Sequence, residues 1–355
     1  MPQGSSAIIY ASHSPTSEIV ALALGGEDGS LRELSRTVVP HQGPQETGSL
    51  QLALARRSRR LYATLQAAPF VLASFGIDLP SGKLQLLGMT TLPRHSGYLT
   101  LDPAESRLFS VSYSDHLLTV SPIDAEGAAG LPVTAMTTSL NPHGVVAHPG
   151  NGTLYVGAMR GNRISAFRLE DDGTLVPRPD AGALPRPGVG PKFVILDEGG
   201  RRLYLLNEYD ATVDVFVVDP ADGGLRLLQS LSILPADIAT PWRPLPPARP
   251  GIGAGDIQLS PDGRFLFASD RPTNSLASFL VDPEHGTLRG VGTVEAEPIP
   301  RSFAITEDGR WLIAAGFTSG RVVSYSIDEE TGELQRHCEF KIGDTVDAVA
   351  TLTAA

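Results

Sequence analysis

The chain holds a single cysteine, Cys338, among 355 residues. One thiol excludes an intramolecular disulfide and a cysteine-based zinc site, and its plain reading is a small residue in a late strand. Basic residues are in deficit. Lys and Arg number 28 against 39 Asp and Glu, for a net charge of −11. Without a basic face, nucleic acid and acidic membranes are poor partners. No apolar run approaches the roughly 20 residues that a bilayer span needs. The opening Met1-Pro2-Gln3-Gly4-Ser5-Ser6 lacks the basic and long apolar regions of a signal peptide, so a cytoplasmic protein is expected. Helical periodicity with credible caps is missing. So are a phosphate-cradling glycine loop, a nucleotide fingerprint and a nucleophile elbow, and no cofactor is implied.

What the chain does have is a repeat. A hydrophobic pair heads an alternating strand at Ile9-Tyr10, Leu61-Tyr62, Leu108-Phe109, Leu154-Tyr155, Leu203-Tyr204, Leu266-Phe267 and Leu312-Ile313. The spacing is about 46 to 52 residues, with one interval of about 63, the period of β-propeller blades. The sixth copy predicts strands over Asp256–Ser260, Phe265–Ser269, Ser275–Val281 and Thr287–Val294, with Ser260-Pro261-Asp262-Gly263-Arg264 as the first turn. The first copy begins at its second strand, Ala7–Ser12, and the C-terminal Val346–Leu352 resembles the missing first strand. The expected fold is therefore all-β: one domain over 1–355, a seven-bladed β-propeller of four-stranded antiparallel blades. The C-terminal strand completes the N-terminal blade, which removes an open edge.

Strand direction locates the site. In an antiparallel blade the loop before the first strand and the loop after the second open on one face. That face gathers His13, Arg94, His95, His116, His143, Arg160, Lys192, Asn207, Glu208, Asp256, Gln258, Asp270, Arg271 and Arg301. The long interval comes from Pro235–Gly255, a Pro- and Gly-rich loop on the same face with Trp242, Arg243 and Arg249. It is expected to cover or wall the site.

Three stretches carry a family resemblance: Gly190-Pro191-Lys192-Phe193 to Leu206-Asn207-Glu208, Asp256-Ile257-Gln258 to Ser269-Asp270-Arg271, and Pro300-Arg301-Ser302. The chain resembles the lactonase-type seven-bladed propellers, which include 6-phosphogluconolactonases and carboxymuconate lactonizing enzymes. The resemblance implies a site from His143, Lys192, Asn207, Glu208, Asp256, Arg271 and Arg301. Lys192 replaces the family's arginine, and Phe193 and Gln258 replace two histidines. Lys and Arg are not equivalent where an anion is held bidentately.

On this pattern Glu208 is the expected base for an attacking water, and Arg271 or Lys192 the stabiliser of the oxyanion. Arg301 is expected to hold a carboxylate or phosphate, with Asn207, Asp256 and Gln258 completing the binding site. The leading reading is hydrolysis of a small anionic lactone. A carboxymuconate-type cycloisomerase is the alternative, with His143 handling the proton. The other alternative is a non-catalytic propeller binding a metabolite or protein, although aromatics make up only 6% and no Trp-Asp signature occurs. Against these stand plainer roles. Glu208 would be a structural ion-pair partner of Lys192 or Arg271, His143 a satisfied loop residue, and Arg301 a brace between blades six and seven. His13, His95 and His116 read as loop residues and Trp242 as packing under its loop. The cations outnumber the acids (Glu208, Asp256, Asp270), which favours a small anionic metabolite over a metal. A closed propeller has no edge that demands a partner, so a monomer is expected.

Overall fold

Short runs of β-branched and aromatic residues, cut by turns of the Pro-Asp-Gly type, set the strand boundaries. In the computed structural model, residues 5–354 are described apart from 42–47, 80, 237 and 239–252. Twenty-eight strands form seven four-stranded antiparallel sheets, and the helical content among the described residues is one 3-10 turn, Ser14–Thr16. No helix among them is long and apolar enough to cross a membrane. Blade six runs Ala254–Leu259, Phe265–Asp270, Ser275–Val281 and Leu288–Glu295, within two residues of the sequence expectation at each boundary. The C-terminal strand Val349–Thr353 lies innermost in blade one and pairs with Ser5–His13, from Ala7 opposite Thr353 to Ala11 opposite Val349. The ring closes as the sequence predicts.

The anchor pairs earn their repetition by bolting blade to blade. Six of the seven second strands carry an aromatic into the layer between neighbouring sheets, where Tyr10, Tyr62, Phe109, Tyr155, Tyr204 and Phe267 are fully buried, and blade seven places Ile313 there. Three of these four buried phenols find a hydrogen-bond acceptor, while the Tyr10 hydroxyl has none among the described residues. Tyr62 donates to Gly127 O (3.0 Å), Tyr155 to Gly223 O (2.7 Å) and Tyr204 to Gly286 O (3.0 Å). Each of those glycines sits in the last hairpin turn of the following blade, which lets the backbone approach the ring closely.

One irregularity recurs, and it positions the site. In blades four to seven the inner strand slips against the second strand just after its start. The register skips between Pro142 and Gly144, Pro191 and Phe193, Ala254 and Ile257, and Pro300 and Ser302. The residues passed over are His143, Lys192, the Gly255-Asp256 pair and Arg301. A bulge re-aims a side chain out of the pleat's alternation, and these four carry His143, Lys192, Asp256 and Arg301, which the sequence had marked for chemistry. Blades two and three pair without a slip at this point. The site is therefore built on one side of the ring.

Candidate functional site

The bulges deliver their side chains to one axial cavity of about 560 Å³. His143, Lys192, Asp256, Arg271 and Arg301 line one end, and Arg56, Asp102 and Glu105 line the other, where the inner strands of blades two and three finish. Gln258 and Phe193 lie along the wall between.

Glu208 organises the charged end. It follows the second strand of blade five (Arg202–Asn207), and its backbone N–H donates to Gly190 O (2.8 Å). Its Oε2 lies 3.0 Å from Lys192 Nζ and its Oε1 2.7 Å from an Arg271 terminal nitrogen. Lys192 also donates to Ala254 O (2.7 Å), and Arg271 Nε to Gly253 O (2.9 Å). Gly253 adopts φ +87°, and a Cβ there would strike the Glu208 backbone carbonyl. Only glycine lets this turn pass so close. Burial alone would raise the Glu208 pKa, but Lys192 and Arg271 outweigh it and hold the carboxyl below its ordinary range. Lys192 moves down to about 8, through burial first and the Arg271 charge second, with Glu208 opposing both.

Arg301 is differently placed. Its guanidinium lies over the Phe317 ring, 5.2 Å from the centroid, and 4.0 Å from Asp347 Oδ1. It makes no hydrogen bond to any described residue, so its donors remain available to a ligand. Asp347 is the site residue that sequence reasoning missed. It precedes the C-terminal inner strand as Arg301 heads its own, and its Oδ2 accepts from the Ser14 backbone N–H (3.0 Å).

Three expectations need correcting. Asn207 does not reach the cavity. It ends a buried strand, and its amide nitrogen donates to Thr212 Oγ1 (3.0 Å) and Asp214 Oδ2 (2.9 Å) inside blade five. Asp256 and Gln258 do reach the cavity wall, but both are engaged with the backbone of Phe303. Asp256 Oδ2 accepts from Phe303 N–H (3.1 Å) and Gln258 Nε2 donates to Phe303 O. An inner strand exposes unpaired backbone groups towards the axis, and these side chains satisfy them from the neighbouring blade. Burial lifts Asp256 to about 6 against the backbone N–H groups of Phe303 and Ile257, which donate to its carboxylate. Finally, His143 is not a protonated acid. Burial, and then the Lys192 charge, push its pKa down to about 3, and its Nδ1 is buried without a partner.

The replaced histidines leave an aromatic wall. Phe193 meets His143 edge-on (4.9 Å between centroids, 88°) and Tyr98 at a tilt (5.0 Å), and Lys192 Nζ lies 5.1 Å from the Phe193 centroid. The other face residues do not line this cavity. His13 accepts from Asp344 N–H and bonds Thr16, Arg94 and His95 meet Asp115, and His116 accepts from Asn141 N–H. Asp270 caps the Thr273 turn, and Arg160 is exposed. Most of the 235–255 loop, including Trp242, Arg243 and Arg249, lies outside the described residues. Among the described residues no group of three or more His, Cys, Asp or Glu could hold a metal ion.

Glycine again sets a close approach at the bulge of blade six. A Cβ on Gly255 would strike Pro300 O and Ser269 Oγ, which donates to that same carbonyl (2.8 Å). Gly255→Ala is expected to push the inner strands of blades six and seven apart. The cost is about 1–3 kcal/mol, read as a fall in thermal midpoint. An unchanged midpoint would show that the junction yields freely.

Comparison with known proteins agrees with this architecture. Residues 8–349 match the family described as "Lactonase, 7-bladed beta-propeller". The chain is 32% identical over 347 residues to the 6-phosphogluconolactonase of Pectobacterium atrosepticum, covering 97% of this chain and 98% of that one. It is 33% identical over 300 residues to the 6-phosphogluconolactonase of Serratia proteamaculans, covering 84% of each. Among solved structures, the periplasmic gluconolactonase of Pseudomonas aeruginosa superposes with a TM-score of 0.85 at 24% identity, over 99% of both chains. At that identity the last likeness speaks for the fold.

Proposed function

Since this chain belongs to the seven-bladed β-propeller lactonase family, we propose that it hydrolyses a small lactone carrying an anionic group, of the 6-phosphogluconolactone type. The observation that carries the reading is the charge at the cavity's end. In a protein of net charge −11, three cations gather there: Lys192 and Arg271 pair with Glu208, while Arg301 lies 4.0 Å from Asp347 and makes no hydrogen bond to a described residue. A low-dielectric cavity strengthens such preorganised charge. Arg301 takes the substrate's carboxylate or phosphate, whose planar fork its guanidinium matches. Arg271, held by Glu208 and Gly253 O, is assigned the developing oxyanion in this reading. The aromatic wall of Phe193, Tyr98 and His143 supplies a dry flank for the ring.

A pH-stat assay on phosphorylated, carboxylated and uncharged lactones tests this. Turnover of the anionic lactones above background is expected, and no turnover of any would refute the proposal. Arg301→Met is expected to raise KM for anionic lactones about 10- to 100-fold, the value of one hydrogen-bonded charge, while leaving uncharged lactones nearly unaffected. Equal losses on both substrate classes would remove Arg301 from the anion site.

A further inference from the structure

We propose that Lys192 is the proton acceptor of the hydrolytic step, with Glu208 positioning it rather than serving as the base itself. This rests on the lactonase reading above. The argument starts from the hydrogen bonds of the amine. Lys192 Nζ is enclosed, on a residue 2% exposed, and has two acceptors among the described residues: Ala254 O at 2.7 Å and Glu208 Oε2 at 3.0 Å. An ammonium carries three N–H donors and a neutral amine two. Losing one proton therefore breaks neither bond and leaves a lone pair where the third N–H was, on a residue that lines the cavity.

The other groups facing this point serve less well. Glu208, from the second strand of blade five, has both oxygens committed to cations. Arg271 of blade six and Arg301 of blade seven present guanidiniums, which offer donors and no lone pair to an incoming proton. His143 of blade four is already neutral and too weak a base at about 3. Asp256 of blade six spends its oxygens on the Ile257 and Phe303 N–H groups. Asp347 of blade one accepts from Ser14 N–H and lies towards Arg301. Lys192, brought down to about 8 by burial and by Arg271, changes charge near the working pH of an enzyme, which is what general-base catalysis asks for.

The step balances. A water oxygen bonds to the lactone carbonyl carbon while one of its protons passes to Lys192 Nζ. The carbonyl electron pair becomes an oxyanion beside Arg271. When the carbonyl re-forms, the ring C–O bond breaks and the leaving oxygen takes the proton back from Lys192. The product is the open hydroxy acid, and the amine is regenerated.

The test is the pH dependence of kcat/KM for the wild type, Lys192→Arg and Glu208→Gln, with competitive acetylation of Lys192 by acetic anhydride followed by mass spectrometry. The wild-type rate is expected to rise with an inflection near 8, matched by the labelling curve of Lys192. Lys192→Arg, which keeps the charge but cannot give up its proton, is expected to lose about 10²- to 10⁴-fold in kcat. Glu208→Gln removes an anion that raises the Lys192 pKa, so its inflection is expected at lower pH with part of the activity retained. The proposal is overturned if Lys192→Arg stays within about threefold of the wild type, if Glu208→Gln is inactive at every pH, or if Lys192 labels with the ordinary lysine inflection. A wild type that opens no lactone at all defeats the lactonase reading as well. That result is distinct from failure of the lysine alone, where turnover survives Lys192→Arg.

Discussion

Removal of residues 346–355 is expected to leave a chain that no longer melts cooperatively and elutes as aggregate. The segment supplies the inner strand of blade one, and with it go the pairings of Ala7–Ala11 with Val349–Thr353. Val346, Val349 and Leu352 are all buried by the closed ring. Each apolar side chain of that size contributes about 1.5–3 kcal/mol on burial. Together they rival the whole stability of an ordinary domain, about 5–15 kcal/mol. The deletion also bares the edge of Ser5–His13, an unpaired template for other chains. The same stretch fixes the site, because Ser12 N–H donates to Ala348 O and Ser14 N–H to Asp347, which faces Arg301. Size-exclusion chromatography and thermal denaturation provide the check. A truncated protein that melts within a few degrees of the full chain would show that this closure is dispensable.

Glu208→Ala carries the second large effect. The carboxylate sits between two buried cations, so truncation leaves Lys192 and Arg271 facing each other without an anion. Breaking a buried pair in this way costs about 3–5 kcal/mol. The pH dependence has a definite sign. The folded-state pKa of Glu208 lies below its unfolded value, so its contribution is present above the unfolded value and is lost as pH falls through the folded one. At the alkaline end Lys192, depressed to about 8, sheds its charge and relieves the repulsion. Without Glu208 the Lys192 pKa falls below its wild-type value, so the penalty of the substitution is expected to narrow as pH rises towards about 8, and to narrow again in the acid range as the Glu208 contribution is lost. Chemical denaturation of the variant and wild type across pH measures it, and a penalty independent of pH would remove the ion cluster as its cause.

Much of this architecture is legible in the sequence because propeller blades repeat their instructions. Leu203-Tyr204 and Leu266-Phe267 recur because each blade must place a large side chain in the layer beside the next. Ser260-Pro261-Asp262-Gly263 can be read as a turn from local chemistry alone. Strand direction then names the face that carries Lys192, Glu208, Arg271 and Arg301. What escapes is whatever depends on two strands at once. Asn207 and Glu208 are adjacent in sequence, yet one turns into blade five and the other into the ion cluster, because the strand ends between them. Asp256 and Gln258 read as ligand-binding because the unpaired backbone of Phe303 belongs to the next blade. Asp347 escaped because it leads into a strand borrowed from the far end of the chain.

The bulges that carry His143, Lys192, Asp256 and Arg301 have a consequence for how this fold changes over time. A residue in regular alternation answers to the core on one face or to solvent on the other, and exchanging it disturbs packing. The bulged residues here line the cavity instead. The resemblance has an arginine where this chain has Lys192, and an exchange there bears first on the charge lining the cavity. The propeller thus keeps its chemistry at breaks in the strand alternation, apart from the anchor pairs that fill the layers between its blades.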